Sequence, residues 1–444
     1  MTSSPRQDLL DEPSDLDALA VDPLGTDPSR PHLLLASKPW AMVVAQFFPV
    51  LALGLTYPFV VEQLDAARVA GIGLSVLMVS CAVITPTLAQ AVAAPVYLHL
   101  LGDRGADPNH VARTVLRVAL PALLVVGPLM LFASIGVGAA RQLPLSLFGA
   151  FFGLLVLHVA MGALIVPAYA LRAPLLLVLP WSAYVVVLLL VPTWLWAPPV
   201  AAILLQAATL AVVGLRRRQH RQAWEPLQVG WRASAVAALR GAAEGLPLWS
   251  IPAVVWLLDV RLSSIGFVYI ALLPGVLAHQ LFFVRTVDPG WRLLDGARDA
   301  LHALPYPEAR AKFERFTRGV RAGVGQATAL LLLLSMAMIS GAVVMHWRDG
   351  QLLVVVVLAA FAAVAAMMQG YTLGMLGSAV PLGVLGACAL VVVVGGISMG
   401  LPDVAVLGTA AALYGAYALV AVGVSRRVMH RPEHALFWRR AVQW

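Results

Sequence analysis

Apolar residues along this chain gather into twelve long segments separated by shorter polar stretches. Each segment is roughly long enough to cross a hydrocarbon core of about 30 Å as an α-helix. The pattern therefore predicts an all-α, polytopic membrane protein with about twelve transmembrane helices. The predicted spans are 41–62, 70–100, 112–138, 145–169, 173–193, 196–215, 245–260, 264–286, 322–346, 351–369, 374–397 and 402–424.

The positive charges indicate how these spans are oriented. If the N-terminus is cytoplasmic, 26 of the 30 Lys and Arg residues lie on the cytoplasmic side. Only Arg68, Arg141, Arg261 and Arg348 then lie on the outer side. This asymmetry is what the positive-inside rule predicts for twelve spans with both termini in the cytoplasm. We therefore expect a multi-pass protein of the cytoplasmic (inner) membrane.

Composition supports this interpretation and excludes several function classes. The chain is 61% hydrophobic and only 12% charged, with a mean hydropathy of +0.86, which no water-soluble fold of 444 residues would accommodate. The net charge of +8 follows from the cytoplasmic loops, so no nucleic-acid partner is expected. The sequence has no Walker lysine loop, HExxH, CxxC or GxSxG motif, and its histidines lack metal-ligand spacing. We expect neither an enzyme nor a bound metal or cofactor.

The longest interruption divides the spans into two sets of six. Residues 1–38 are acidic and rich in proline and serine, which predicts a disordered cytoplasmic tail. The remaining predicted parts are an N-terminal six-helix bundle (39–215), a basic cytoplasmic linker (216–244), a C-terminal six-helix bundle (245–425) and a cytoplasmic tail (426–444).

Short matches recur between the two sets at nearly the same offset. Because each set has an even number of spans, both keep the same orientation and should be related by an axis along the membrane normal. Proline bends a helix, and we expect Pro58 and Pro252 to be corresponding bend points. The matches are Pro58 with Pro252 and Leu64-Asp65 with Leu258-Asp259, both 194 positions apart, and Ile72-Gly73 with Ile265-Gly266, 193 positions apart.

Ionisable and strongly polar groups inside predicted spans are the candidate functional residues. His158 lies in the middle of the fourth span, His279 and Gln280 lie within the eighth, and Arg285 lies near its cytoplasmic end. Such groups are rare in membranes and commonly contact substrates, so we predict that all four contribute to substrate binding. The alternatives are a neutral histidine bonded to a neighbouring helix and an arginine that extends to the membrane surface.

Within the predicted spans, acidic residues lie only near the ends. Glu62 lies at the outer end of the first span, and Glu244 lies at the inner start of the seventh. They are the candidate coupling acids for a cation antiporter. Within the predicted spans, neither acid lies deep in the membrane, and this position argues against cation antiport. A further segment, 306–321, has an apolar face and several basic residues, which predicts an amphipathic helix on the inner leaflet.

Two sequence regions resemble the multidrug/oligosaccharidyl-lipid/polysaccharide (MOP) exporter superfamily. In the first half, the residues that show this resemblance are LDAARVAGIGLS at 64–75 and LLGDRGADPNHVARTVLRVAL at 100–120. In the second half they are Gly245-Leu246-Pro247. The resemblance covers roughly 41–140 and 236–340. It implies a transporter that works by alternating access, with spans one, two, seven and eight lining a central cavity.

The resemblance leaves the substrate open between two branches. The lipid-linked saccharide flippase branch is favoured, because the first span reads Tyr57-Pro58-Phe59-Val60 without the acid that the drug-exporting, MATE-like branch often carries. A major-facilitator transporter is a second alternative, although the loop at 102–106 lacks the spacing of that family. A non-transporting scaffold is a third. The expected partners are membrane lipids, a lipid-linked or amphipathic substrate, and cell-envelope biosynthesis proteins bound through the cytoplasmic tail.

Overall fold

The computed structural model describes residues 39–432, apart from short gaps within that range. The gaps are 101–107, 164, 172, 217–230, 259–263, 288, 292, 295–304, 345–349, 377–379 and 431. The predicted acidic tail (1–38) and the C-terminal tail beyond residue 432 lie outside the described residues. Inner and outer ends of helices are named below by the orientation that the Lys and Arg distribution predicts.

Helices make up nearly all of the part of the chain that the structure describes. Ten helical stretches are long and apolar enough to cross a membrane, and two shorter apolar helices lie at Leu175–Leu190 and Ala197–Val212. Each of the twelve predicted spans lies on one of these stretches, so the all-α, polytopic prediction is confirmed. The helices are α1 (Pro39–Ala66), α2 (Leu74–Leu100), α3 (Pro108–Ala140), α4 (Leu145–Ala163), α5 (Ile165–Ala170), α6 (Leu175–Leu190), α7 (Ala197–Arg216), α8 (Trp231–Leu258), α9 (Ser264–Phe282), α10 (Tyr306–Val344), α11 (Gly350–Met375), α12 (Val380–Met399) and α13 (Asp403–Val428).

Three predicted boundaries need correction. The tenth span continues through the predicted turn at 370–373 to Met375, and the eleventh begins at Val380. The second span begins at Leu74 rather than at residue 70, because residues 68–73 form a small hairpin. The seventh span begins at Trp231, so residues 231–244, assigned to the linker, form the first half of α8. The sequence indicates a weak helical stretch over 234–244 that leads into this span, and the alanine-rich sequence makes the two one continuous helix.

The hairpin lies at the outer end between α1 and α2. Strand β1 (Arg68–Val69) pairs antiparallel with β2 (Ile72–Gly73) through a two-residue turn. Both turn residues have positive φ, 51° at Ala70 and 84° at Gly71, as a type I′ turn requires. Ser75 then donates a hydrogen bond to Asp65 over 2.9 Å and joins the helices on either side.

The two halves meet through four helices that pair reciprocally. Helix α2 packs along α8, and α1 packs along α9. Because α1 corresponds to α8 and α2 to α9, exchanging the halves about an axis along the membrane normal interchanges these pairs. They are the four helices predicted to line the central cavity. Large apolar side chains on the outside of the molecule, such as Leu124, Phe132 and Leu419, are more than 70% exposed and suit contact with lipid.

Close approach of α2 and α8 depends on two glycines one helical turn apart. Gly241 and Gly245 form a G-x-x-x-G pattern whose face lies against Gln90 and Ala94 of α2. A Cβ on Gly241 would lie 2.7 Å from the Cβ of Ala94, closer than two carbon atoms can come. Any larger residue there would push α2 and α8 apart.

Helix α10 differs from the prediction of a separate interfacial helix. Residues 306–321 continue without interruption into the ninth span as one 39-residue helix. Their apolar side chains, Phe313, Phe316 and Val320, are buried in a cluster with Met375 and Met429. That face is therefore covered by protein, which corrects the expectation that it lies on the inner leaflet.

Candidate functional site

A partly buried ion pair lies halfway along α8. Arg240 donates a hydrogen bond from Nε to Oε1 of Glu244 over 2.6 Å, and the two side chains are 27% and 15% exposed. Since α8 runs from Trp231 to Leu258, Glu244 is at its midpoint. The helix extends inward beyond the predicted start of the seventh span, so Glu244 is flanked by helix on both sides, in a stretch that is long and apolar enough to cross a membrane.

Two aromatic residues of the C-terminal half lie beside this pair. The phenol of Tyr371 in α11 is a polar neighbour of Glu244. The Tyr371 ring also lies 5.9 Å from that of His279 and 6.2 Å from that of Phe283, centroid to centroid. The guanidinium carbon of Arg240 lies 5.6 Å from the ring centroid of Trp291, within the range in which a cation is attracted to an aromatic face.

The N-terminal half reaches the same place through two tyrosines. Tyr169 of α5 donates its hydroxyl to Oε1 of Gln280 over 2.9 Å. The rings of Tyr97 and Tyr169 each lie 5.7 Å from Phe283, in the π-helical turn Phe283–Val287 that follows α9. Together with the residues around the ion pair, these side chains form what we call the inner cluster, because it lies toward the inner ends of α2 and α9. The members of the inner cluster are Tyr97, Tyr169, Arg240, Glu244, His279, Gln280, Phe283 and Tyr371.

Two buried polar atoms near this region lack partners among the described residues. They are Nε2 of His279 and Oε1 of Gln90. His279 is 5% exposed, and Gln90 lies against Gly245, next to Glu244. A buried polar atom without a hydrogen bond is costly, so these two unpaired atoms mark a strained part of the interface between the halves.

The sequence-predicted substrate residues are only partly brought together. His279 and Gln280 belong to the inner cluster. Arg285 lies half-buried in the π-helical turn two residues after Phe283. His158 lies elsewhere, within the N-terminal half, where its ring nitrogens contact the Leu154 carbonyl at 2.9 Å and the Tyr184 hydroxyl at 3.1 Å. The first contact lies within α4 and the second joins α4 to α6, so both nitrogens are engaged inside the protein, which favours a structural role.

A second contact between the halves lies at the outer end. Trp256 of α8 donates its indole N–H to Oγ of Ser80 in α2 over 3.1 Å. The guanidinium carbon of Arg141, which follows α3, lies 3.9 Å from the centre of the same ring. We call Ser80, Arg141 and Trp256 the outer contact. It joins one residue of the C-terminal half to two residues of the N-terminal half.

The predicted bend points and the second candidate acid lie near this outer end. Pro58 and Pro252 both lie inside continuous helices, α1 and α8. Pro58 faces Gly266 of α9, where an added Cβ would lie 3.2 Å from the proline ring. Glu62 is exposed near the outer end of α1. No group of three or more His, Cys, Asp or Glu residues suited to holding a metal ion is found among the described residues.

The sequence did not point to several members of the inner cluster and of the outer contact. Arg240 was counted as a loop residue because the seventh span was started at 245, although its i, i+4 spacing from Glu244 indicates a helical pair. The sequence does not mark Tyr97, Tyr169 and Tyr371 as functional, because aromatic residues are common in apolar spans. Trp256 and Ser80 are 176 residues apart and can be paired only by tertiary structure.

Comparison with known proteins supports the fold. No protein-family model matches the chain, and no curated protein matches it in sequence. Among solved structures, it is similar to a MATE protein in complex with MaD3S, with a TM-score of 0.55, 13% identity and coverage of 95% of this chain and 99% of that one. It is also similar to the outward-facing conformation of a multidrug resistance MATE family transporter of the MOP superfamily, with a TM-score of 0.52 and 14% identity over 95% of this chain and 99% of that one.

A third structure, a mutant of a MATE protein, matches with a TM-score of 0.54 and 14% identity over 95% of this chain and 99% of that one. Coverage is nearly complete in all three, so the similarity extends to both six-helix sets and to their arrangement. The major-facilitator alternative is not supported by these matches. The chain therefore has the fold of the MATE transporters of the MOP superfamily.

Proposed function

We propose that this protein is a transporter that exports an amphipathic substrate across the cytoplasmic membrane by alternating access. The observation that carries this proposal is that the halves are joined by separate contacts at opposite ends. The outer contact holds Trp256 against Ser80, and the inner cluster holds Tyr169 against Gln280. Opening one end while the other stays closed requires breaking only one of these sets, which is the requirement of alternating access.

For the substrate we favour an amphipathic organic cation. The preference from sequence for a lipid-linked saccharide depended on the absence of an acid within a span. Glu244 lies inside α8 beside Tyr371, and its partner Arg240 lies 5.6 Å from the ring centroid of Trp291. A carboxylate with aromatic rings nearby suits a cation that carries apolar rings. Glu244 also becomes the better candidate for a coupling acid, because Glu62 is exposed at the outer end.

A lipid-linked saccharide is the second candidate, and one observation favours it. Arg240, Gln280 and the unpartnered Nε2 of His279 offer hydrogen-bond donors to a phosphate or a sugar in the same region. The expected location in the inner membrane, with cytoplasmic termini, is common to both candidates. Lipids of that membrane and envelope-biosynthesis proteins remain the proposed partners.

Transport by the purified, reconstituted protein tests the proposal. Proteoliposomes would be assayed for efflux of a cationic dye under an imposed proton gradient and, in parallel, for movement of a fluorescent polyprenyl-pyrophosphate saccharide between leaflets. We expect dye efflux that stops when the gradient is collapsed. Saccharide-lipid movement without dye efflux would favour the second candidate. Neither activity in correctly folded protein would contradict a transport function and favour a scaffold.

A further inference from the structure

Arg240 lies where a cationic substrate would be bound. Its Nε is 2.6 Å from Oε1 of Glu244, in a region bordered by Tyr371 and Trp291. A positive group that approached Glu244 would have to compete with this guanidinium for the carboxylate. In the state described here, the protein's own cation therefore neutralises the acid.

The pair has features of an exchangeable contact rather than of a fixed structural one. Arg240 precedes Glu244 by four residues, which is the less favourable order for a helical ion pair. The contact is a single hydrogen bond from Nε, whereas the strongest arginine–carboxylate pairs are bidentate. Tyr371 is a second polar neighbour of Glu244, so the carboxylate is not left without a polar contact if the arginine moves away.

Trp291 gives the charge of Arg240 a second partner. Its ring centroid lies 5.6 Å from the guanidinium carbon, near the outer limit of a cation–π interaction. The Arg240 side chain is 27% exposed. Closer approach of the guanidinium to Trp291 would free the Glu244 carboxylate for another cation while Arg240 keeps an aromatic partner.

We propose that Arg240 is an internal competitor for the substrate site: it binds Glu244 when the site is empty and is displaced toward Trp291 by the substrate's cationic group. This inference rests on the proposed cation-export function and adds the residue that sets the threshold for binding. A cation must bind Glu244 better than Arg240 does, so weakly basic or poorly stacking molecules are rejected. Arg240 is a specificity-determining residue in this scheme.

Binding of a fluorescent aromatic cation, rhodamine 6G, to the full-length protein in detergent tests the scheme. The measurement is made at about pH 8.5, where carboxylates are normally charged. Arg240→Gln should lower the Kd by about five- to tenfold, the factor expected when one competing, partly buried ion pair is removed. Arg240→Lys keeps a competing charge and should bind the dye with nearly the wild-type Kd. Glu244→Gln should weaken binding.

The chain supplies a matched control at the same spacing. Arg310 and Glu314 form an i, i+4 pair at 3.0 Å in which both side chains are 55% exposed. Arg310→Gln removes the same kind of pair far from the site and should leave the Kd unchanged. Thermal unfolding of each purified variant shows whether a loss of binding arises from misfolding.

The outcomes separate this inference from the proposed function. Weaker or unchanged dye binding by folded Arg240→Gln, with Glu244→Gln also weaker, would overturn the competitor role and leave cation transport intact. Binding of a polyprenyl-pyrophosphate saccharide that Arg240→Gln abolishes would also overturn it, because Arg240 would then be a ligand for an anion. A wild-type protein that binds neither probe would remove the inference together with the proposed function.

Discussion

Trp256 in the C-terminal half donates its indole N–H to Oγ of Ser80 in the N-terminal half over 3.1 Å at the outer end of the molecule. Toward the inner end, Tyr169 in the N-terminal half donates its hydroxyl to Gln280 in the C-terminal half over 2.9 Å. Each bond joins the two halves, and the two lie at opposite ends of the interface. Weakening one or the other should therefore shift the molecule in opposite directions.

Trp256→Phe should favour the outward-open state. Phenylalanine keeps an aromatic ring near Arg141 but cannot donate to Ser80, and one such hydrogen bond corresponds to about a two- to tenfold change in an equilibrium. Spin labels at Arg68→Cys and Leu401→Cys, in a background without the native cysteines, report the distance between the halves at the outer end. The population with the longer distance should increase. Trp194→Phe, at a 70% exposed site, should not change it.

Tyr169→Phe should favour the inward-open state. It removes only the hydroxyl that bonds Gln280 and keeps the ring that packs on Phe283. Labels at Arg117→Cys and Arg315→Cys report the inner distance, and we expect a shift of similar size toward longer values. Tyr417→Phe is a matched control, since it removes a 2.7 Å bond to the Pro381 carbonyl within a single half. Equal shifts in both variants would contradict a specific role of Tyr169.

Gly241→Ala should destabilise the protein. The added methyl group would collide with Ala94 and with the Gln90 backbone, and overpacking of this kind typically costs about 1–3 kcal/mol. The thermal unfolding midpoint in detergent should fall. Gly383→Ala, in the first turn of α12 with open space around it, should raise the midpoint slightly or leave it unchanged, because alanine is the better helix former.

His158→Phe tests the structural role of that histidine. Loss of the bond to the Tyr184 hydroxyl leaves that buried group with only its weak 3.8 Å contact to the sulfur of Met78, at a cost of about 1–3 kcal/mol. The unfolding midpoint should fall, while the transport rate per folded molecule stays near that of the wild type. Loss of transport in a variant with unchanged stability would restore His158 as a substrate contact.

The helical architecture could be predicted from sequence because span length and positive charge leave a strong local signal. Twelve segments and a twofold relation followed from the apolar pattern and from recurrent pairs such as Pro58 and Pro252. The start of α8 was predicted too late, because the seventh span was placed from its apolar residues at 245 and the weak helical stretch before it was assigned to the linker. Membrane helices tolerate such charges when they are paired within the protein, and the pairing of Arg240 with Glu244 is visible only once the helix is continued to Trp231.

Only part of the candidate site could be predicted, because several of its members meet only through tertiary contacts. His279 and Gln280 stood out as polar residues in an apolar span, and both lie in the inner cluster. Tyr169 reaches Gln280 across 111 residues of sequence, and no local pattern encodes that contact. The apolar face of residues 306–321 was correctly recognised, but its burial against Met375 and Met429 depends on how α10, α11 and α13 come together.

The most direct test of this account compares cation efflux by Glu244→Gln and Glu62→Gln in proteoliposomes. Both substitutions remove one carboxylate charge, one at the midpoint of α8 and one at the exposed outer end of α1. We predict that Glu244→Gln abolishes proton-driven efflux of the cationic dye and that Glu62→Gln retains it. Undiminished efflux by Glu244→Gln would contradict the central claim that this acid within the span binds the transported cation.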